Sequence, residues 1–230
     1  MTSFNISLYG HITYDTIFNG EQTRYSVGSI GNVWRALLQL SNNFNVQIEP
    51  TEIGEALILV DEAKCKRTST ACLSLKNRTP NIYNSDWAHI LYINQLNDIS
   101  FIKQIRERTK IISADICAGR ILKDKSVLKY VDYLFISDED MWLNSIEELS
   151  SLVKGWVILH HSHGSVCCKG KTKFEIRVEK ILKGINILGA GDMFAAACIS
   201  NILLEADRDI KSIISMSHDE TYNLLLKYNE

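Results

Sequence analysis

The sequence predicts an α/β protein built on a mostly parallel sheet covered by helices. The first 95 residues are rich in short strand-forming runs, and from about residue 99 to residue 160 helical and strand patterns alternate. A long apolar helix is then expected over Gly191–Leu204, opening on small residues.

Residues 5–9 read as the first strand. Tyr14–Val27 reads as two short strands joined at Asn19-Gly20, a dipeptide suited to the positive φ of a tight hairpin. Val33, Leu37 and Leu40 recur at helical spacing and predict a helix over Ile30–Leu40. Further strands are expected at Val46–Glu49, Ala56–Val60 and Thr70–Leu75 and near His89–Ile93. The alternating part predicts helices at Ile99–Arg108, Leu122–Tyr130 and Ile146–Val153, and strands at Lys110–Asp115, Tyr133–Ile136 and Trp156–His160. A hairpin through Gly170 joins Val166–Cys168 to Phe174–Val178, and helices close the chain at Ile210–Ser217 and Glu220–Tyr228.

With 230 residues, 46% of them hydrophobic and 23% charged, one domain with one substantial core is expected. A net charge of −2 with scattered basic residues argues against nucleic acid as a partner. No apolar run reaches membrane-spanning length and the first residues lack a signal-peptide pattern, so a soluble, cytoplasmic protein is expected. The cysteines (Cys65, Cys72, Cys117, Cys167, Cys168 and Cys198) include no Cys-x-x-Cys and read as reduced, mostly buried small hydrophobes.

The chemistry concentrates in Gly189-Ala190-Gly191-Asp192. Small residues let backbone amides crowd at a helix start, where four N–H groups lack intrahelical acceptors and the macrodipole favours anions. An Asp in that first turn, beside a transferring phosphoryl group, can accept the proton of an attacking hydroxyl. On these residues alone, a glycine loop with a capping Asp fits equally well.

Gly-Ala-Gly-Asp followed by x-Phe-x-x-Ala resembles the second signature of the ribokinase-like (PfkB) sugar kinases. Near the N-terminus, Gly28-Ser29-Ile30-Gly31-Asn32 resembles their glycine-rich, Asn-containing helix start, and Gly10-His11-Ile12-Thr13-Tyr14-Asp15 their opening strand. Weaker likenesses lie at Ile112–Asp115, at Phe135–Asp140 and at Val157–Gly164. The resemblance implies a ribokinase-like doubly wound sheet with a reduced β lid, here the hairpin 14–27, in one domain over residues 1–230. It also implies ATP and Mg²⁺ as cofactors, and a sugar, polyol or nucleoside whose hydroxyl is phosphorylated by a monomer or homodimer.

Carried over by position, Asp192 is the expected base, with the amides of Ala190, Gly191 and Asp192, after Gly189, as an anion hole. Asp15 and Asn32 would hold acceptor hydroxyls, and Gly28 and Gly31 would admit the substrate close to the backbone. Ser137, Asp140, His161, His163 and Gly164 fall on the nucleotide side. No direct protein ligand to metal is expected; Asp140 would act through water.

Four departures from the family pattern stand out: the chain is short, Ser137 and Asp140 occupy the Asn-x-x-Glu positions, Asn186 and Ile187 replace the residues of the monovalent-cation site, and the nucleotide-side turn keeps only Gly164. Potassium activation is therefore not expected. The alternative is a ribokinase-fold sensor that binds a sugar or nucleotide without turnover. A nucleotide contact is expected of the histidines at 160, 161 and 163 rather than a metal site, since neighbouring strand positions face opposite ways. Arg120 is open between a phosphate contact and a surface arginine.

Overall fold

The computed structural model describes residues 3–64, 66–74, 79–116, 122–138 and 145–229. The strands are β1 (Phe4–Asn19), β2 (Gln22–Ser29), β3 (Phe44–Asp61), β4 (Lys66–Ser74), β5 (Ser85–Ile90), β6 (Thr109–Ile116), β7 (Tyr133–Ser137), β8 (Trp156–His161), β9 (Gly164–Lys169) and β10 (Thr172–Arg177). The α-helices are α1 (Ile30–Leu40), α2 (Phe101–Arg108), α3 (Ile146–Leu152), α4 (Ala190–Leu204) and α5 (Ile210–Asn229). They form a mixed α/β fold with a large, mostly parallel sheet flanked by helices.

The chain divides into two compact units. The first holds Met1–Gly10, Asn43–Thr51 and Asn77–Arg177; the second holds His11–Asn42, Glu52–Lys76 and Val178–Glu230. β1 and β3 each begin in the first unit and end in the second.

In the first unit the strand order is β10-β9-β8-β7-β6-β5-β1-β3. β1, β5, β6, β7 and β8 run parallel, while β9 and β10 add antiparallel at one edge. Because side chains alternate along a strand, one face carries Tyr9, Ala88, Ile90, Ile112, Ala114, Leu134, Ile136 and Val157. That face is buried together with Phe101, Ile102 and Ile105 of α2 and Ile146 and Leu149 of α3. The alternate residues Trp87, His89, Ser113, Phe135 and Ile158 are buried as well. Strands covered on both faces explain the near-continuous apolar runs of β5 to β8.

In the second unit β2 pairs antiparallel with the later part of β1, and β4 with the later part of β3. The β1–β2 loop is Gly20-Glu21, with Gly20 at φ +59 as the first residue of a tight two-residue loop requires. α4 is buried along Asp192–Asn201, on all its sides, which fits a helix apolar all round. Its Phe194 ring stacks on His218 of α5 at 4.5 Å, and Asn201 donates to Ser217 Oγ (3.1 Å) and Glu220 Oε2 (2.9 Å). Burial pushes the Glu220 carboxyl up from its ordinary value.

Several boundaries differ from the sequence-based expectations. The strand expected at 5–9 and the first arm of the 14–27 hairpin are one strand, because Gly10 adopts φ +147 and carries the extended chain onward. Strands expected at 46–49 and 56–60 are likewise one: Pro50 and Gly54 do not break the extended backbone. The second unit therefore has a second antiparallel pair besides the 14–27 hairpin. The helix expected at 122–130 is a 3₁₀ segment, Lys125–Tyr130, started by Asp124, whose carboxylate accepts from the Ser126 amide at 2.8 Å. The two closing helices are a single one, because the hydroxyls of Ser217 and Thr221 bond back to the carbonyls of Ile213 and Ser217 and so do not interrupt it.

Free Cys167, Cys168 and Cys198 are buried and Cys72 is exposed, while Cys65 and Cys117 lie outside the described residues. Burial pushes the Cys167 thiol up to about 12.

Candidate active site

The second unit brings two helix starts together. β2 ends at Ser29 and α1 begins at Ile30, so no loop residue separates strand from helix. The reversal falls on Ser29, whose φ of 55° and ψ of −125° lie where a side chain is rarely found, at a cost of about 1–3 kcal/mol. Its hydroxyl lies 3.2 Å from Thr13 Oγ1, which ties the junction to β1.

Asp15, buried on β1, fills the space over Gly28: a Cβ on Gly28 would lie 2.0 Å from Asp15 Oδ2. A Cβ on Gly31 would meet Val27 Cγ1 at 2.6 Å. The close approaches that require these glycines are thus made by the chain's own side chains, packing α1 onto β2 and Asp15 onto Gly28.

α4 starts from Gly189, at φ +79 and ψ 9, the left-handed conformation that glycine adopts most readily. The Ala190 amide donates to Ile187 O at 3.0 Å, and the Met193 amide to Gly189 O at 2.8 Å. The Ala190 amide is thus engaged, whereas among the described residues the Gly191 amide has no acceptor.

Asp192 is only 5% exposed. Its Oδ2 accepts from Asn32 Nδ2 at 2.7 Å, and Asn32 Oδ1 accepts from Arg35 Nη2 at 2.6 Å. Asn32 also lies beneath Gly189, where an added Cβ would sit 3.3 Å from Nδ2.

The turn before Gly189 is held from both sides. Asn186 Oδ1 accepts from the Leu188 amide at 2.9 Å, and Asn229, near the end of α5, accepts from the Asn186 amide and donates to its carbonyl, both at 3.0 Å. Leu188 packs with Ile17 of β1 and Ile58 of β3.

The remaining expected residues belong to the first unit. Ser137 ends β7, with its hydroxyl 3.4 Å from Asp138 Oδ1. Asp140 and Arg120 lie outside the described residues. Ser162 and His163 form the β8–β9 loop, in which the His163 amide donates to His161 Nδ1 at 3.2 Å and the two imidazoles stand 6.4 Å apart. Gly164 has φ +141, and a Cβ there would strike Ile176 O of β10 at 1.9 Å, so this glycine serves strand packing. Among the described residues no group of three or more His, Cys, Asp or Glu is placed to hold a metal ion.

No protein-family model matches the sequence, and no curated protein matches it. Solved structures do. A nucleoside kinase of Methanocaldococcus jannaschii, an archaeal member of the ribokinase family, aligns over 98% of this chain and 92% of its own at 17% identity, with a TM-score of 0.72. This chain has the ribokinase-like fold. A Burkholderia thailandensis nucleoside kinase solved with inosine shares the fold at 15% identity and a TM-score of 0.70, over 96% of this chain and 90% of that one. So does a pyrophosphate-dependent kinase in the ribokinase family, solved with a pyrophosphate analog and myo-inositol, at 14% identity and a TM-score of 0.66, over 96% and 94% of the two chains.

Within this ribokinase-like fold, three participants escaped sequence analysis. Arg35 stands three residues after Asn32, a spacing that places both on one helix face, so a signal existed. Asn229 had none, since 43 residues separate it from Asn186. The third is a buried relay on the sheet. Trp87 Nε1 donates to Ser113 Oγ at 2.7 Å, Ser113 Oγ lies 2.8 Å from His89 Nδ1, and His89 Nε2 lies 3.8 Å from Asp115 Oδ2. Burial pushes the His89 imidazole down to about 3 and keeps it neutral. The order Asp–His–Ser matches that of a hydrolytic triad, but Ser113 is fully buried and no substrate can reach it. Asp115 instead accepts from the Tyr92 amide at 2.6 Å and fixes the chain leaving β5.

Proposed function

We propose that this chain is a kinase of the ribokinase family that transfers a phosphoryl group from ATP to a hydroxyl of a sugar, polyol or nucleoside. One observation carries the reading: a buried carboxylate, Asp192, oriented by Asn32 in the first turn of α4, beside the amide of Gly191, which has no acceptor among the described residues.

Asp192 accepts the proton of the attacking hydroxyl as the oxygen–phosphorus bond forms. The amides of Gly191 and Asp192, at the positive end of a 15-residue helix, face the charge that builds on the transferred group. Asp15 and the second amide N–H of Asn32 hold acceptor hydroxyls. The nucleotide is assigned to Ser137, His161, His163 and Gly164 of the first unit, with Asp140. A backbone donor at a helix N-terminus with no acceptor among the described residues suits a phosphoryl group. Mg²⁺ would be carried on the nucleotide phosphates, where it neutralises charge, with Asp140 acting through water.

A sensor without turnover is the second reading. It is favoured by the Asn186 side chain, whose Oδ1 is engaged by the Leu188 amide, and by the histidine-bearing β8–β9 loop.

A panel of sugars, polyols and nucleosides assayed for ADP release with ATP–Mg²⁺, and for orthophosphate with pyrophosphate, tests the proposal. Asp192→Asn is expected to lower turnover by about 10²–10⁴-fold while the protein stays folded. Unchanged turnover in that variant refutes the mechanism. Thermal stabilisation by a sugar, with no donor consumed across the panel, supports the sensor.

A further inference from the structure

We propose that Arg35 is a positioning residue for Asp192, acting through the amide of Asn32; the inference rests on the reading of Asp192 as the base. A guanidinium can only donate hydrogen bonds and an ionised carboxylate can only accept them. An asparagine between the two has a single orientation that satisfies both, with Oδ1 toward Arg35 and Nδ2 toward Asp192. The distances of 2.6 Å and 2.7 Å describe that orientation.

α1 explains how the three groups meet. Residues three apart lie on one helix face, and long side chains lean toward the helix N-terminus, so the Arg35 guanidinium folds back over Asn32. Asn32 Oδ1 is its one hydrogen-bond acceptor among the described residues, and it forms no ion pair there. Among the described residues no carboxylate neutralises its charge. The absence of a Cβ on Gly189 leaves room for the Asn32 amide beneath the turn.

Remove Arg35, and Asn32 Oδ1 loses its donor, so the amide is held from the Asp192 side alone and can pivot about that one bond. The donor that sets the plane of the carboxylate is then itself no longer fixed. A misaligned base lowers the rate of the chemical step, while Asp15 still holds the acceptor and only the Asn32 contact to it is loosened, so kcat falls by more than KM rises.

The test needs no substrate at first. In the full-length protein labelled with ¹⁵N-asparagine, the side-chain amide pair of Asn32 is identified by its loss in Asn32→Leu. Arg35→Met is expected to move that pair toward the position of an exposed asparagine, and Arg35→Lys, which keeps one donor, to leave it near the wild-type position. Arg35→Gln, a neutral donor, serves as the second variant if Arg35→Met does not fold. With the acceptor from the panel, Arg35→Met is expected to lower kcat about tenfold with a smaller rise in KM, and Arg35→Lys to recover part of both. An Asn32 amide pair identical in wild type and Arg35→Met overturns the inference even if Asp192→Asn abolishes turnover. Full turnover in Asp192→Asn overturns the catalytic reading, and the amide shifts then report the relay alone.

Discussion

The carboxylate of Asp15 occupies the place where Gly28 would carry a side chain, with Oδ2 2.0 Å from the ideal Cβ position. β1 and the end of β2 are fitted to each other through a missing methyl group. Gly28→Ala is expected to lose about 1–3 kcal/mol of stability through overpacking and to raise KM for the acceptor. Combining it with Asp15→Ala should recover part of the stability, since the two changes share one contact. Thermal melts of the two single variants and the double variant decide this, and strictly additive losses would sink it.

Gly189 is constrained by its conformation and by Asn32 together. Gly189→Ala places a side chain at φ +79 and 3.3 Å from Asn32 Nδ2. The left-handed conformation alone costs about 1–2 kcal/mol. Turnover is expected to fall more than that stability loss accounts for, because Asn32 must shift. Paired measurements of melting temperature and kcat check the prediction; an unaltered kcat contradicts it.

Asn229→Ala removes one acceptor and two donated bonds, to Asn186 and to the Leu225 carbonyl. The expected loss is about 1–3 kcal/mol, together with faster hydrogen exchange at Leu188 and Gly189. Exchange as slow as in the wild type would mean that α5 does not hold the turn before Gly189.

His89 makes stability depend on pH. Its imidazole titrates near 3 in the folded chain, pushed down by burial, against 6.5 for an exposed histidine. The unfolded chain therefore binds a proton that the folded chain refuses between these values, and stability falls as pH drops from 6.5 toward 3. His89→Asn keeps an acceptor for Ser113 and cannot titrate. Between pH 6.5 and 5 the wild type is expected to lose roughly 1–2 kcal/mol more than the variant, measured by denaturant unfolding. Parallel stability curves would contradict the assignment.

The parts of the fold that rest on local chemistry were legible in the sequence. α1 spans Ile30–Leu40 as the spacing of Val33, Leu37 and Leu40 requires, and the strands β6 to β8 follow their apolar runs. Gly189–Asp192 was readable because a glycine pair before an apolar helix leaves few structural options. Long-range pairing was not readable. Whether β1 stops at Tyr9 or continues to Asn19 depends on its partners, β5 first and β2 later. Ser113 meets His89 only because the β5–β6 register sets the two residues opposite each other. The sequence offers no local sign of either. Asn32 was recognised by its place after the glycines, but its bond to Asp192 joins residues 160 positions apart.

The junction at Ser29 has no slack, and this sets how α1 can vary. An α-helix turns about 100° per residue, from 3.6 residues per turn. One residue inserted between Ser29 and Asn32 would swing Asn32 through that angle, away from Asp192, and carry Arg35 with it. A deletion would rotate both the opposite way. The aim of the amide is thus fixed by a residue count between β2 and Asn32, and length change there would disarm the site even where every side chain is kept.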